Sequence, residues 1–298
     1  VTYRIAGPDQ VDAEIRRLMR DRLQLAVEHI DSYLDREHTG IHETRKRIKE
    51  IRALLHLVQE DLGDLHAAEN QWFRERAHTL GDVRDAQAML EALDKLKAHQ
   101  VERMPDADLA AFHQHLIEQG ELALKADTNL PLRLKALQAD FEAAQERVAS
   151  WPLRHQGFKL LQTGLQDIYR RGRRATHRAY AEPSAVHFHD WRKRVKDHWY
   201  HSRLLESIWP AELQVRIQAL KTLSDLLGDD HDLEMLRGAA DRAELMGREQ
   251  LLELLDQRQS ELRHEAAAIG QRLYAERPCC LRQRWAGYWR QWELEHVT

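Results

Sequence analysis

Residues 42–52 read HETRKRIKEIR, and residues 189–199 read HDWRKRVKDHW. Each is a helix written in two colours. On a wheel of about 100° per residue, His42, Arg45, Lys46, Lys49, Arg52 and His56 share one arc. Ile48, Ile51, Leu54, Leu55 and Val58 gather on the other side. The spacing predicts a helix over about 41–58 with an apolar face for the core and a cationic face turned away from it. The second stretch repeats the pattern with His189, Arg192, Lys193 and Lys196, and ends on Trp199 where the first has Arg52. An acid–base surface helix ordinarily interleaves Glu and Lys at i,i+4, whereas these stripes read as nearly pure cation.

The two stretches lie 147 positions apart. A second pair keeps the same offset: LGDVRD from Leu80 and LGDDHD from Leu227. Two unlinked matches at one spacing mark a duplicated helical unit. The expectation is a single all-α domain over 1–298, built as two quasi-repeated helical bundles, about 1–150 and 151–298, around a central basic groove or pore.

Composition supports the fold class. At 43% hydrophobic and 32% charged, with few Gly and Pro, the chain suits long helices with charged outer faces. Runs of β-branched residues with period-two alternation are nearly absent. The net charge of −4 excludes a uniformly basic coat protein, so any anion site must come from local clustering. Cys279 and Cys280 are neighbours, which excludes a disulfide framework and makes a reducing, cytoplasmic setting the natural one. No apolar run approaches the roughly 18 residues that cross a membrane.

Along the chain, helix is expected from Asp9 to Leu34, and breaks at Glu37–Gly40, Met104–Asp108 and Thr128–Arg133, the last enforced by Pro131. Ser150-Trp151-Pro152 reads as a hinge between the halves, with Pro152 opening the next helix. A helix carrying His189 is expected to stop at Pro210. Trp285, Tyr288, Trp289 and Trp292 recur at i, i+3, i+4 and i+7, the pattern of a packed helix face.

A third stripe lies in DIYRRGRRATHR, from Asp167 to Arg178. Arg170, Arg173, Arg174 and His177 share a face, with Leu161, Leu165, Ile168 and Tyr169 roughly opposite and Gly172 on the apolar side. Three such stripes around a groove would sustain a strongly positive potential. Arg forks match phosphate oxygens bidentately, and side chains one helical turn apart suit a linear polyanion. No Gly-rich phosphate loop is present, and nothing is positioned to activate a nucleophile. Asp82 and Asp229 read as helix caps, with Gly81 and Gly228 allowing a bend or close packing. Asp85 and Asp232 read as partners that position the cations; the oxygen- and imidazole-rich GDDHD is also a candidate metal ligand set.

The H-x-x-R-x-x-x-K helix, twice, each followed by L-G-D-x-x-D, together with Y-R-R-G-R-R before the second copy, resembles the CHAD family, the conserved histidine α-helical domain. The resemblance runs from about Ile15 to Trp292. It implies an all-helical fold with a basic pore, binding of inorganic polyphosphate and association with polyphosphate granules, and no enzymatic activity, cofactor or resident metal. Carried over by position, His42, Arg45, Lys49 and Arg52 match the first signature, and His189, Arg192, Lys193 and Lys196 the second. Trp199 and Glu50 depart from basic positions and reduce the charge.

Two other readings compete. His189-Asp190 and His231-Asp232 are doublets of the kind used by HD-type metal-dependent phosphohydrolases. The first half, however, has His42-Glu43 and Arg84-Asp85 there, so the duplication keeps the cations and not the doublets. A nucleic-acid binder would use the same phosphates, but base stacking needs aromatics among the basic residues, and the first stripe has none. Sequence-specific nucleic-acid binding is therefore not expected.

Overall fold

The computed structural model describes residues 2–35, 40–99, 106–243 and 247–297; the side chains of 81–87, 106–107, 123–126 and 297 are not described. Among the described residues there are twelve α-helices and no strand. The N-terminal half holds α1 (Val11–Leu34), α2 (Gly40–Leu57), the single turn α3 (Gln59–Leu62), α4 (Asp64–His78), α5 (Gly81–His99), α6 (Asp106–Ala126) and α7 (Leu130–Ala149). The C-terminal half holds α8 (Phe158–Ala181), α9 (Ala185–Leu204), α10 (Pro210–Arg242), α11 (Arg248–Leu273) and α12 (Pro278–Val297). Moved by 147, the bounds of α1 fall on those of α8, and the last residue of α2 falls on that of α9.

The helix pairs recur in the same order. α1 packs on α2 and α7, and α8 packs on α9 and α12; α5 packs on α6, and α10 on α11. α1 shows why these residues form this element. Val11, Ile15, Leu18, Met19, Ala26 and Ile30 keep one buried stripe at helical spacing, and Asp12 and Glu14 complement the positive end of the helix dipole. The apolar cores do not divide at the midpoint. One contains α1, α2, α8, α9 and α12 side chains together; a second joins Leu93, Leu96 and Phe112 of the first half to Leu236, Leu251 and Leu255 of the second. The halves are thus knit by shared cores. Trp285, Trp289 and Trp292 are buried, as a packed face requires. No helix is long and apolar enough to cross a membrane among the described residues.

The breaks before Pro131 and Pro210 are present, at 127–129 and 205–209, but the prolines play other parts in them. Pro131 sits inside the first turn of α7, and Pro210 opens α10. A proline near a helix start loses nothing, because that N–H has no intrahelical partner anyway. Pro152 opens no helix: residues 151–156 are irregular, and α8 starts after Gly157, whose φ is 55°. Nor is this linker a loose hinge. The Trp151 carbonyl accepts from Arg16 at 2.8 Å, and Asp61 takes the Arg154 and His155 backbone N–H groups at 2.5 and 2.8 Å.

The backbones of the two halves touch where α8 lies on α2. A Cβ on Gly164 would fall 2.2 Å from the Leu57 carbonyl oxygen and 2.3 Å from that of His56, so glycine is required for the backbones to touch. Close by, the His201 Nε2 and the Ala53 carbonyl are 2.8 Å apart, tying α9 to α2.

Candidate anion-binding site

Both signature helices present the same ion-pair scaffold on one flank. On α2, Glu43 takes Lys46 at 3.2 Å and Arg47 at 2.8 Å, and Glu50 takes Arg47 at 2.7 Å. On α9, Asp190 takes Lys193 at 3.3 Å and Arg194 at 3.7 Å, and Asp197 takes Arg194 at 3.2 Å. Each of these three pairs matches its counterpart at the offset of 147. Lys46 and Lys193 therefore belong to an acid–base interleaved flank, an arrangement typical of a solvated helix surface.

The remaining cations behave differently. Arg192 of α9 is within electrostatic reach of Arg45 of α2, and also of Asp229 and Asp232 of α10. His231 of α10 is within reach of Lys49 of α2 and of Arg192. The rings of His189 and His231 lie 4.3 Å apart, centroid to centroid. Lys196 lies near Arg192, Lys221, Asp225 and Asp232. Cations from both halves therefore converge where α2, α9 and α10 meet. His42 is half-exposed on α2 near Glu43.

The electrostatics of this centre are unfavourable to its own charges. Burial, then the charges of Lys193 and Arg192, push His189 down to about 4. Burial, then His189, Arg192 and Lys49, push His231 down to about 4 as well. Burial and Arg192 lower the Lys196 ammonium to about 8. Each shift has the same origin: cations close together, partly withdrawn from water. Within the centre, the buried Nε of Arg192 and the Nδ1 of His189 meet no hydrogen-bond partner among the described residues. An anion placed here would relieve the repulsion.

The L-G-D elements differ between halves. Gly81 starts α5, but the side chains of Asp82 and Asp85 lie outside the described residues. Gly228 and Asp229 sit within α10, which runs unbroken for 33 residues, so Asp229 caps nothing. It pairs instead with Lys95 of α5 at 2.7 Å. Asp232 carries the expected pairing role, since it acts on both Arg192 and Lys196. Gly228 faces the Arg192 guanidinium, which a Cβ would meet at 3.7 Å, an ordinary contact.

On α8, Arg170, Arg173 and Arg174 are exposed. Arg170 is ion-paired to Asp167, and Arg171 pairs with the same carboxylate at 2.6 Å. Arg171 of α8 acts with its charge on Asp197 of α9. Gly172 lies on the packed side, as the wheel implied, with Tyr274 so near that a Cβ would fall 2.5 Å from its ring. Arg52 lies one turn beyond Lys49 on α2: its Nε donates to the Asn70 side-chain oxygen at 2.9 Å, and Asp197, Arg194 and Arg74 lie around it. Sequence reasoning missed Arg171 and set His231 aside as part of an HD doublet. The signal that could have retrieved His231 is its place in the second L-G-D element, four residues from Leu227.

Among the described residues, no three His, Cys, Asp or Glu side chains converge as metal ligands would. Fold and centre together define an all-helical domain with duplicated basic helices. Residues 17–241 match the CHAD domain family, and the chain belongs to it. The crystal structure of the CHAD domain from the plant Ricinus communis superposes with a TM-score of 0.66 over 93% of this chain and 98% of that one, at 15% identity. That likeness is one of fold. No curated protein matched the sequence.

Proposed function

We propose that this chain binds inorganic polyphosphate, or a comparable linear phosphate-rich anion, without turning it over. The cations at the meeting of α2, α9 and α10 would line a groove to which each half contributes equivalent side chains. One observation carries the reading: Arg45 and Lys49 of the first half come within reach of Arg192 and His231 of the second. Cations held together at an energetic cost are stabilised when a polyanion supplies the missing negative charge, and the half-buried Arg192 and Lys196 would form charge-assisted bonds to its oxygens. Binding at this centre accords with a cytoplasmic protein resident on polyphosphate granules.

The test is a titration of the full chain with polyphosphate at two salt concentrations, beside the Arg45→Ala, Lys49→Ala, Arg192→Ala, Lys196→Ala quadruple variant. Loss of four charge-assisted contacts should weaken binding by at least about a thousandfold, with helicity retained by circular dichroism. Undiminished affinity in that variant would refute the site. Single-stranded RNA of equal charge should compete poorly, and release of phosphate from polyphosphate on adding a divalent metal would favour a hydrolase instead.

A further inference from the structure

The two repeats are unequal on either side of the shared centre. Around Asp197, Arg194 makes the direct ion pair at 3.2 Å, while Arg52 bonds the neutral amide of Asn70 at 2.9 Å. Arg171 also acts on Asp197. Three guanidinium groups thus surround one carboxylate, and among the described residues the Arg52 fork is not consumed by an acid at hydrogen-bond distance.

The Glu50 side is arranged otherwise. Its carboxylate, 1% exposed, gathers Arg47 at 2.7 Å, Arg22 at 3.4 Å and Arg203 at 3.8 Å. Arg203 also lies over the rings of Trp199 and Tyr3, 4.8 and 5.6 Å from their centroids. A guanidinium held by a carboxylate and two aromatic faces has little left to offer a ligand. Trp199 takes the position that Arg52 holds in the first repeat, and its buried indole Nε1 meets no acceptor among the described residues.

We infer that a bound polyanion extends from the shared centre only toward Arg52, and that Trp199 closes the Glu50 side. The inference rests on the polyphosphate reading of the centre. It makes Trp199 a specificity residue: it limits how many consecutive phosphates the site engages. A chain with cations on both sides would grip a longer run of phosphates, centred on the contact between the repeats. This chain instead grips one eccentric run.

Salt dependence reads the number of phosphates neutralised, because each one contributes roughly 0.7 to the magnitude of the slope of log K against log salt for a single-stranded polyanion. Full-length protein and polyphosphates of defined length are the materials. Arg52→Ala should lower the slope by about 0.7 and weaken binding roughly tenfold. Arg203→Ala should leave the slope unchanged, whatever it does to thermal stability. Trp199→Arg, the residue of the other repeat, should raise the slope by about 0.7 and lengthen the shortest chain that saturates the protein. If Trp199→Arg does not fold, the Arg52→Ala and Arg203→Ala pair decides the matter: a slope lowered by Arg52→Ala alone supports the closed side, and one lowered by Arg203→Ala overturns it. Equal losses from Arg52→Ala and Arg203→Ala would overturn it too. Absence of binding by the unsubstituted protein would instead refute the function proposed above.

Discussion

α4 and α5 in the first half occupy the place that α10 fills alone in the second, and the two signature arginines respond to that difference. In the first half the chain breaks at Thr79 and Leu80, where the Thr79 hydroxyl donates back to the Arg76 carbonyl at 2.7 Å. A helix end leaves carbonyls without partners, and the Arg45 Nη1 donates to one of them, on Ala77, at 3.4 Å. In the second half Leu226 stands at the position of Thr79, and the helix continues. The carbonyls there are consumed within α10, so Arg192 faces the carboxylates of Asp229 and Asp232. One motif therefore holds its arginine in two ways, by a frayed backbone and by acidic side chains. What the duplication preserves is the placement of a cation, and the local means of holding it are free to diverge.

The largest expected effect tests the two buried acids against each other. Glu50→Gln would leave the fully buried Arg22 without its counter-charge, at a cost of about 3–5 kcal/mol, visible in chemical denaturation. Asp197→Asn should cost far less. Burial pushes the Asp197 carboxyl up to about 6, so the folded chain already holds its charge reluctantly. An equal loss in both variants would show that the two flanks are energetically alike.

Next in size is the contact between halves. Gly164→Ala places a methyl group against two α2 carbonyls and should destabilise by about 3 kcal/mol. Its counterpart 147 positions earlier is Arg17, ion-paired to Glu14 and Asp21, where alanine should cost under about 1 kcal/mol. A thermal melt of each distinguishes them.

Acid sharpens the contrast further, since the histidines held furthest down lie mostly in the second half; His29 and His66 of the first are lowered less. His189, His198, His201 and His231 there, and His56 in the first, are all held below their ordinary value, first by burial. The folded chain keeps them neutral, whereas the unfolded chain takes up protons from about pH 6.5. Stability present above that pH is therefore lost as pH falls toward about 4, where His189, His201 and His231 charge in the fold. Asp197, raised to about 6, and Asp230, also raised, work in the opposite sense, but they are two groups against seven. Melting temperatures at pH 7, 5.5 and 4.5 should fall in that order. Polyphosphate bound as proposed would favour the imidazolium forms of His189 and His231, so the fall should be smaller in its presence. The smallest effect belongs to Gly228→Ala, which removes a mid-helix glycine from the unbroken α10 and should stabilise by about 0.5 kcal/mol. Destabilisation would mean that the L-G-D glycine serves a bend after all.

Much of this molecule was legible before any fold was known, because helical periodicity is local. A spacing of 3.6 residues separates Ile48 and Ile51 from Arg45 and Lys49 whatever they pack against, and the offset of 147 exposes the duplication without reference to space. The packed tryptophan face of α12 follows from the same rule. Periodicity names the face of a helix and is silent on the helix opposite. That Arg45 would approach Arg192, that the His231 ring would lie against that of His189, and that Arg171 would reach Asp197 were all settled by tertiary packing. The same holds for Glu50, which looked like a lost cation and proved to be the anchor of three arginines, one of them from a different helix 28 residues earlier. The register between distant helices is decided by which side chains fill a shared core, and no window along the chain contains that information.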